Sequence, residues 1–573
     1  MRKIFSLVIA TALLVNLASL PASAQKDRSR SSVAASDSPT APSPSALPGV
    51  FGEVLDVRVI NIEVMVTDKR GTPILGLGAE DFELVVDGEP VEVDYFSEIR
   101  GGVALQTEGE PTPLVPSVAP GERVGTSYLL FIDEFFGLKP DRNTVLRSLK
   151  DDLAFLRPED RMAVVAYDGE DLEMLSTWSQ SQRALERVLN DAMLRPAQGL
   201  QRVVERKRYD FSTVQELEDL FGDLLDAERA SAFATQLNPE ERAYVQLVTE
   251  QVNRSVAAAS ATLRSFAKPP GRKVMILLSG GWPFIPADFL VSDVSRILFE
   301  KEGPYGANLY SRLVETANLL GYTLYPVDLP GLEGGAIDAE TSGLPEPNAS
   351  FNRTFLRERE VQATLSYLAK ETGGRALINS RRVGALESVS DDIESYYWLG
   401  FSPERARDDE SHEVSVRLKN PDFRARSRGS FLDSSRETEV SMAVESTLLF
   451  GNAPAAGSLN VEVGPPVKAG KRRMEVPIRV AVPLSQVTVL PTAGSFGTQL
   501  ELRVAVQDES GQQAPIPVIP LSLSFPTMPP EGAEGTYETR LLLRNRSHEA
   551  VVAIHDPASG RIFTTGFDIA PVD

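Results

Sequence analysis

The sequence predicts a multidomain chain in which a doubly wound α/β domain is joined to all-β regions. Three observations predict it. At 573 residues the chain exceeds what one hydrophobic core ordinarily serves, so three or four domains are expected. Apolar runs at 128–132, 162–167, 274–278 and 322–327 alternate with helical patterns, the signature of a largely parallel sheet covered on both faces. On either side of that block the hydrophobic period drops to two, and Gly, Pro and Asp punctuate short strands.

Residues 1–24 read as a secretory signal: Arg2 and Lys3, an apolar run up to Leu20, then Pro-Ala-Ser-Ala before Gln25. The expectation is an exported protein, secreted or periplasmic, with no membrane anchor after cleavage. As an anchor the run is marginal, because a spanning helix needs about 20 apolar residues. Residues 25–52, rich in Ser, Ala and Pro, bury too little to order themselves and read as a linker.

From residue 53 to 100 a small β domain is expected. Ile60, Ile62, Val64 and Val66 share one face, while Asn61, Glu63 and Thr67 take the other. Asp68 to Gly71 and Asp87-Gly88 suit tight turns, with strands at 82–86 and 91–96 flanking the second. Residues 101–125, with Pro111, Pro113, Pro116 and Pro120, form a second linker.

The α/β domain is placed at 126–400. Asn238-Pro239-Glu240-Glu241 opens an amphipathic helix to about Phe266, with an Asn cap and Pro at the first helical position. A further helical pattern at 217–233 lies in a long excursion between strands. Strand patterns at 396–403, 412–419 and 423–431 follow directly, and two arrangements stand: β strands that flank the α/β domain, or 401–434 completing the first β domain so that one sandwich encloses the α/β domain as an insertion. Residues 437–573 show almost no helical period and many short strands, with a hairpin turn at 556–560. They read as a terminal sandwich of immunoglobulin or fibronectin type.

Composition narrows the chemistry. The chain has no cysteine and three histidines, which removes thiolate metal sites, cysteine nucleophiles and disulfides and leaves a His-dependent triad poorly supported. A formal charge of −22 opposes nucleic acid and anionic lipid as partners and helps keep an exported protein in solution.

In an open α/β sheet, ligands bind beyond the carboxyl ends of the central strands. The runs YLLFIDEFFG and VMILLSGGWP should end side by side there, offering Asp133, Glu134 and Ser279. Gly280-Gly281 reads as a turn needing positive φ more readily than as a phosphate cradle, since no phosphate-loop pattern surrounds it. Phe135, Phe136, Trp282 and Phe284 flank the same edge. Two readings stand: a partner-docking aromatic set, or aromatics packed beneath the helical excursion.

These segments carry a family resemblance. VINIEVMVTDKRGTPILGLGAEDFELVVDGEPVEVDYF, YLLFIDEFFG, MILLSGGW and LAKETGGRALINS followed by SYYWLGFSP occur in order over 53–431 and resemble the von Willebrand factor A-related proteins of acidobacteria. The resemblance implies a doubly wound, von Willebrand factor A-like domain that binds a protein partner, often through a divalent cation such as magnesium held by hard oxygen ligands. It carries Asp133 over as the first ligand. Phe135 and Gly137 stand where the family has two serines, and Ser279-Gly280 where it has a late Asp, so at least two hydroxyl ligands are missing. The residues favour Asp133 as a loop-bonding side chain, with Glu134 facing away from it, and no cofactor. For catalysis, Ser279 would need a base such as Lys273 or Asp133, and nothing in the spacing sets that geometry. The expectation is therefore a non-enzymatic binding or adhesion-type module with a degenerate metal site. The alternatives are cation-dependent adhesion through Asp133 and a structural envelope component with a vestigial face.

Overall fold

A computed structural model describes residues 59–105, 121–206, 239–267, 269, 271–286, 306–329, 350–378, 384–403, 408–451, 453, 456–470, 472–492, 495–508 and 518–572. The expected signal and first linker, most of the second linker, the helical pattern at 217–233 and the Asn238 cap lie outside them. The molecule is a mixed α/β chain built on several β-sheets.

The chain opens with β1 (Ile60–Thr67), β2 (Phe82–Val86), β3 (Glu89–Val91), β4 (Tyr95–Arg100) and β5 (Val103–Leu105). Asp87 and Gly88 both take positive φ, 50° and 85°, which turns β2 into β3. The central block follows: β6 (Thr126–Asp133), α1 (Lys139–Asp151), β7 (Arg161–Tyr167), β8 (Leu172–Ser179), α2 (Gln182–Leu194), α3 (Pro239–Ser265), β9 (Arg272–Ser279), α4 (Ala307–Leu320), β10 (Tyr322–Asp328), α5 (Ser350–Glu371) and α6 (Ala385–Asp392). Then come β11 (Ser395–Phe401), β12 (Ser411–Leu418), β13 (Arg424–Arg426), β14 (Ser430–Leu432) and α7 (Arg436–Phe450).

The central sheet has the order β10-β9-β6-β7-β8. β6 pairs in parallel with both β7 and β9, β9 with β10, and only the β8 edge is antiparallel. Alternation within each strand feeds two cores. Leu129, Phe131, Met275 and Leu277 pack on α3 and α4 through Val252, Val256, Leu263 and Leu313, while Leu130, Ile132, Ile276 and Leu278 pack on α1, α2 and α6 through Leu146, Leu149, Leu189 and Leu386. Helices on both faces explain why these strands read as unbroken apolar runs.

Strands from before and after this block share two sheets, β13-β1-β11-β4-β5 and β14-β12-β2-β3. Ile62, Val64, Leu84, Phe96, Leu399 and Val414 close one core between them. The sequence boundary at 400 therefore falls inside a sandwich strand, since β11 pairs with β1 and β4 along its whole length. Arg272, fully buried at the start of β9, joins the two units: its Nε lies 3.1 Å from Glu63 Oε2 on β1, and its guanidinium carbon sits 4.3 Å from the centre of the Tyr396 ring.

The region after residue 437 corrects the expectation of strands alone. α7 occupies its start, capped by the Ser435 hydroxyl, which accepts from the Thr438 N–H, and ended by Gly451 at φ 75°. Val440 and Val444 pack on Ala505, Val551 and Ala553, while Met442 enters the α3/α4 core and Glu445 pairs with Arg264 at 3.1 Å. A helix buried on two sides carries no single apolar stripe, which is why its period was invisible. Beyond it, two sheets built around Ser495–Asp508, His548–Asp556 and Arg561–Ile569, and around Arg473–Pro483 and Glu534–Arg544, share one core. Asp556 holds the expected turn at 556–560 by accepting from Ala558 N–H and Ser559 Oγ.

Candidate functional site

β6 and β9 lie adjacent, so Asp133 and Ser279 end neighbouring strands at the point where the sheet order reverses. Asp133 is fully buried on the α3/α4 side. Its Oδ1 accepts from the backbone N–H groups of Phe135 (3.0 Å) and Phe136 (3.2 Å), and its Oδ2 accepts from Trp282 Nε1 at 2.6 Å. Burial pushes its pKa up to about 7, against the pull of those three donors.

Glu134 turns to the opposite face, where it is also fully buried. Its Oε1 accepts from Arg142 Nη1 at 2.8 Å and its carboxylate from Arg195 Nε at 3.0 Å, and Arg195 continues to Glu173 at 2.7 Å. Arg142, itself fully buried, also donates to the carbonyls of Met193, Arg195 and Pro196, closing the end of α2. Burial raises the Glu134 pKa and lowers that of Arg142, and the attraction between the two opposes both shifts.

The loops here touch through glycine. A Cβ on Gly137 would lie 2.6 Å from the Asp133 carbonyl oxygen, so a serine side chain has no room at that position. Gly199 would meet the Gly137 carbonyl oxygen at 2.4 Å, and Gly280 would meet Gly137 Cα at 3.1 Å. Gly280 and Gly281 do not take the expected positive φ; close backbone approach is what requires them.

The residues therefore do not fit a cation as arranged. Both oxygens of Asp133 are engaged by the protein's own donors, Glu134 is held between two guanidiniums on the other face, and the two hydroxyl positions carry Phe135 and Gly137. Among the described residues no group of three or more His, Asp or Glu side chains is placed to hold a metal. Ser279 Oγ is buried without a hydrogen-bond partner. Lys273 stands at the far end of β9 from Ser279, about 20 Å away at strand rise, so it cannot serve as that hydroxyl's base.

The aromatic set divides between the two readings that the sequence left open. Trp282 is 0% exposed and Phe135 6%; Trp282 stacks on Tyr310 at 6.1 Å, and Phe135 sits beneath the Arg202 guanidinium at 4.5 Å. Phe136 and Phe284 are half-buried. The bond joining Asp133 to Trp282 was not anticipated, although both residues were singled out separately, and neither was the Arg142–Glu134–Arg195 cluster.

No family model matches the chain, and no curated protein does. Its likeness to solved structures is slight. The pilus adhesin SpaC from Lactobacillus rhamnosus GG is 9% identical at a TM-score of 0.25, over 85% of this chain and 60% of that one. The TFIIH p34 N-terminal domain is 11% identical at 0.16, over 46% and 96%. A beta-glucuronidase from Bacteroides uniformis is 9% identical at 0.14, over 31% and 19%. The chain thus spans under two thirds of the adhesin and of the glucuronidase, and at these scores none of the three bears on its fold or function.

Proposed function

We propose that the chain is an exported, non-enzymatic binding protein whose von Willebrand factor A-like domain presents the carboxyl edge of its central sheet to a protein partner without a divalent cation. The observation that carries this reading is the engagement of Asp133 by Phe135 N–H, Phe136 N–H and Trp282 Nε1: protein donors occupy the carboxylate that a cation would need. The strand order around β6 and the four sequence blocks support the A-like assignment, and half-buried Phe136 and Phe284 supply apolar surface at that edge. The sandwich and the C-terminal sheets act as spacers, the latter of immunoglobulin or fibronectin type. Among the described residues no helix is long and apolar enough to cross a membrane.

One observation favours a cation-dependent reading: Ser279 Oγ is buried without a partner. Thermal unfolding of the full chain in EDTA and in millimolar magnesium, manganese or calcium separates the two, because a ligand of the native state raises the midpoint by mass action. We expect no cation-specific rise. A rise that disappears in Asp133→Ala would replace this reading with metal-dependent binding.

A further inference from the structure

The strand Glu534–Arg544 in the C-terminal region is the edge of its sheet. It pairs with Arg473–Pro483 in one unbroken antiparallel register, and among the described residues no strand lies on its other side. Two bonds that bracket this ladder give the direction of its backbone groups. Asn545 N–H donates to the Arg472 carbonyl and Leu484 N–H to the Ala533 carbonyl, each at 2.9 Å. Residues 533 and 545 thus face the neighbouring strand and, with no bulge between them, so do the odd-numbered residues throughout. Glu534, Thr536, Glu538, Arg540 and Leu542 therefore turn their N–H and C=O groups away from the sheet, and among the described residues these groups have no backbone partner.

An edge of this kind is a template for another strand, and proteins usually blunt it. Other edges of the two C-terminal sheets are short or interrupted: Asn460–Val463 has four residues, and Val518–Phe525 carries Pro520. Glu534–Arg544 runs for 11 residues without proline or lysine.

Its charges indicate what it pairs with. Alternation turns Tyr537, Leu541 and Leu543 toward the core, where they are half-buried, and leaves the even-numbered side chains exposed. Along that exposed face the acids come first, Glu534 and Glu538, and the bases last, Arg540 and Arg544. A strand so charged complements an antiparallel copy of itself. Within the molecule Arg540 meets Glu475 at 3.0 Å and Glu538 meets Arg479 at 3.8 Å, but the Arg540 and Glu538 side chains are 73% and 76% exposed, so these pairs are weak and screened.

The register follows from the same facts. The outward backbone groups of two copies face each other only when even-numbered residues oppose even-numbered ones. Centring the pair on Glu538 or Arg540 sets like charges face to face, which is destabilising. Centring it on Thr539 sets Glu538 opposite Arg540 and Glu534 opposite Arg544, each twice, and brings Tyr537 against Leu541 on the core side.

We propose that two copies of this chain join edge to edge through Glu534–Arg544, antiparallel about a twofold axis at Thr539, so that the sheet continues from one molecule into the other. The contact is small, and its dissociation constant falls in the range of about 1–100 μM.

The test is sedimentation equilibrium of the full chain over a concentration series. We expect a reversible monomer–dimer equilibrium. Glu538→Arg and Arg540→Glu should each weaken self-association at least tenfold, because each variant opposes like charges across the axis. Mixing the two variants should restore the dimer, since every position then meets its opposite. Circular dichroism checks that both remain folded. The chain has no cysteine, so a single introduced one reports the register. Thr539→Cys, at the axis, should cross-link to its equivalent under mild oxidation, as directly opposed residues lie about 4.5–5.5 Å apart. Leu541→Cys should not, its equivalent being offset by about 13 Å along the strand. A chain that stays monomeric up to about 500 μM, charge variants that self-associate as the parent does, or a mixture no more associated than its components would overturn the proposal. Failure of Thr539→Cys to cross-link would overturn the register.

Discussion

Two arginines sit at opposite ends of one parallel sheet and are treated differently. Arg142, at the carboxyl end, is fully buried and meets Glu134 at 2.8 Å. Arg428, at the amino end, meets only carbonyl oxygens and keeps its Nε unpartnered. At the carboxyl end, where open α/β sheets ordinarily bind ligands, the buried charges Asp133, Glu134 and Arg142 have all been met by internal partners, while at the amino end one nitrogen of a buried guanidinium has none. The difference teaches that the position of an edge in the topology does not decide where unsatisfied chemistry lies; the partners of each buried charge do.

The comparison breaks most easily at Arg142. Replacing it with Met leaves the buried Glu134 carboxylate with Arg195 alone, at 3.0 Å, so the loss approaches the about 3–5 kcal/mol that breaking a buried pair from one side costs. Urea unfolding should show that loss in Arg142→Met and a smaller one in Arg142→Met combined with Glu134→Gln, since the double variant leaves no buried charge on this pair. A loss below about 1 kcal/mol in the single variant would mean that the cluster is wet and that the two edges do not differ as described.

The next largest effect concerns pH. The folded state raises the Asp133 pKa from its ordinary 3.8 to about 7, so between those values the native chain holds a proton that the unfolded chain has released. Stability contributed by this group is then fully present below about pH 4 and is lost as pH rises to about 7, at up to about 1.4 kcal/mol per unit. Asp133→Asn should flatten that part of the profile, although its amide must turn a donor toward either Trp282 or the two backbone N–H groups and so lowers stability overall. Trp282→Phe should cost about 1–3 kcal/mol by leaving Oδ2 unsatisfied, and should move the lost window upward, because the indole N–H favours the ionised form. A wild-type profile as flat as that of Asp133→Asn from pH 4 to 7 would remove this account.

At the amino end the expected effect is smaller. Arg428→Met gives up two hydrogen bonds to carbonyls, one of them a helix-end contact, but it also relieves an under-compensated cation. A net cost of about 1–2 kcal/mol follows. If Arg428→Met proved as damaging as Arg142→Met, the guanidinium would be structurally paired after all, and the contrast between the ends would fail.

Much of this architecture was legible in the chain because it is carried by local pattern. The strands β6, β7, β9 and β10 are buried on both faces and read as apolar runs, and the alternation of β1 was visible in Ile60, Ile62, Val64 and Val66. What sequence could not show depends on partners far apart. Asp133 and Trp282 are 149 residues distant, Arg195 reaches Glu134 across 61, and Arg428 meets the Asn61 carbonyl across 367. α7 failed for another reason: a helix wedged between two cores loses the one-sided stripe on which recognition rests. At Gly280 the residue type was informative, but two physical demands, positive φ and lack of space, both select glycine, and sequence offers no means of choosing between them.

The glycines of the two ends give the finest test of the comparison. At the carboxyl end, a Cβ on Gly199 would meet the Gly137 carbonyl oxygen at 2.4 Å, and backbone on backbone cannot yield without moving both loops. Gly199→Ala should therefore cost about 1–3 kcal/mol through overpacking. At the amino end, the atoms nearest a Cβ on Gly321 are the tips of Lys273 and Arg428, at 3.3 and 3.1 Å, and long side chains can shift by a few tenths of an ångström. What remains is the strain of an alanine at φ 70°, about 1 kcal/mol. Thermal unfolding of the two variants side by side should rank Gly199→Ala as the more damaging. The reverse order would mean that Lys273 and Arg428 are packed against Gly321 as rigidly as the backbone of the carboxyl edge.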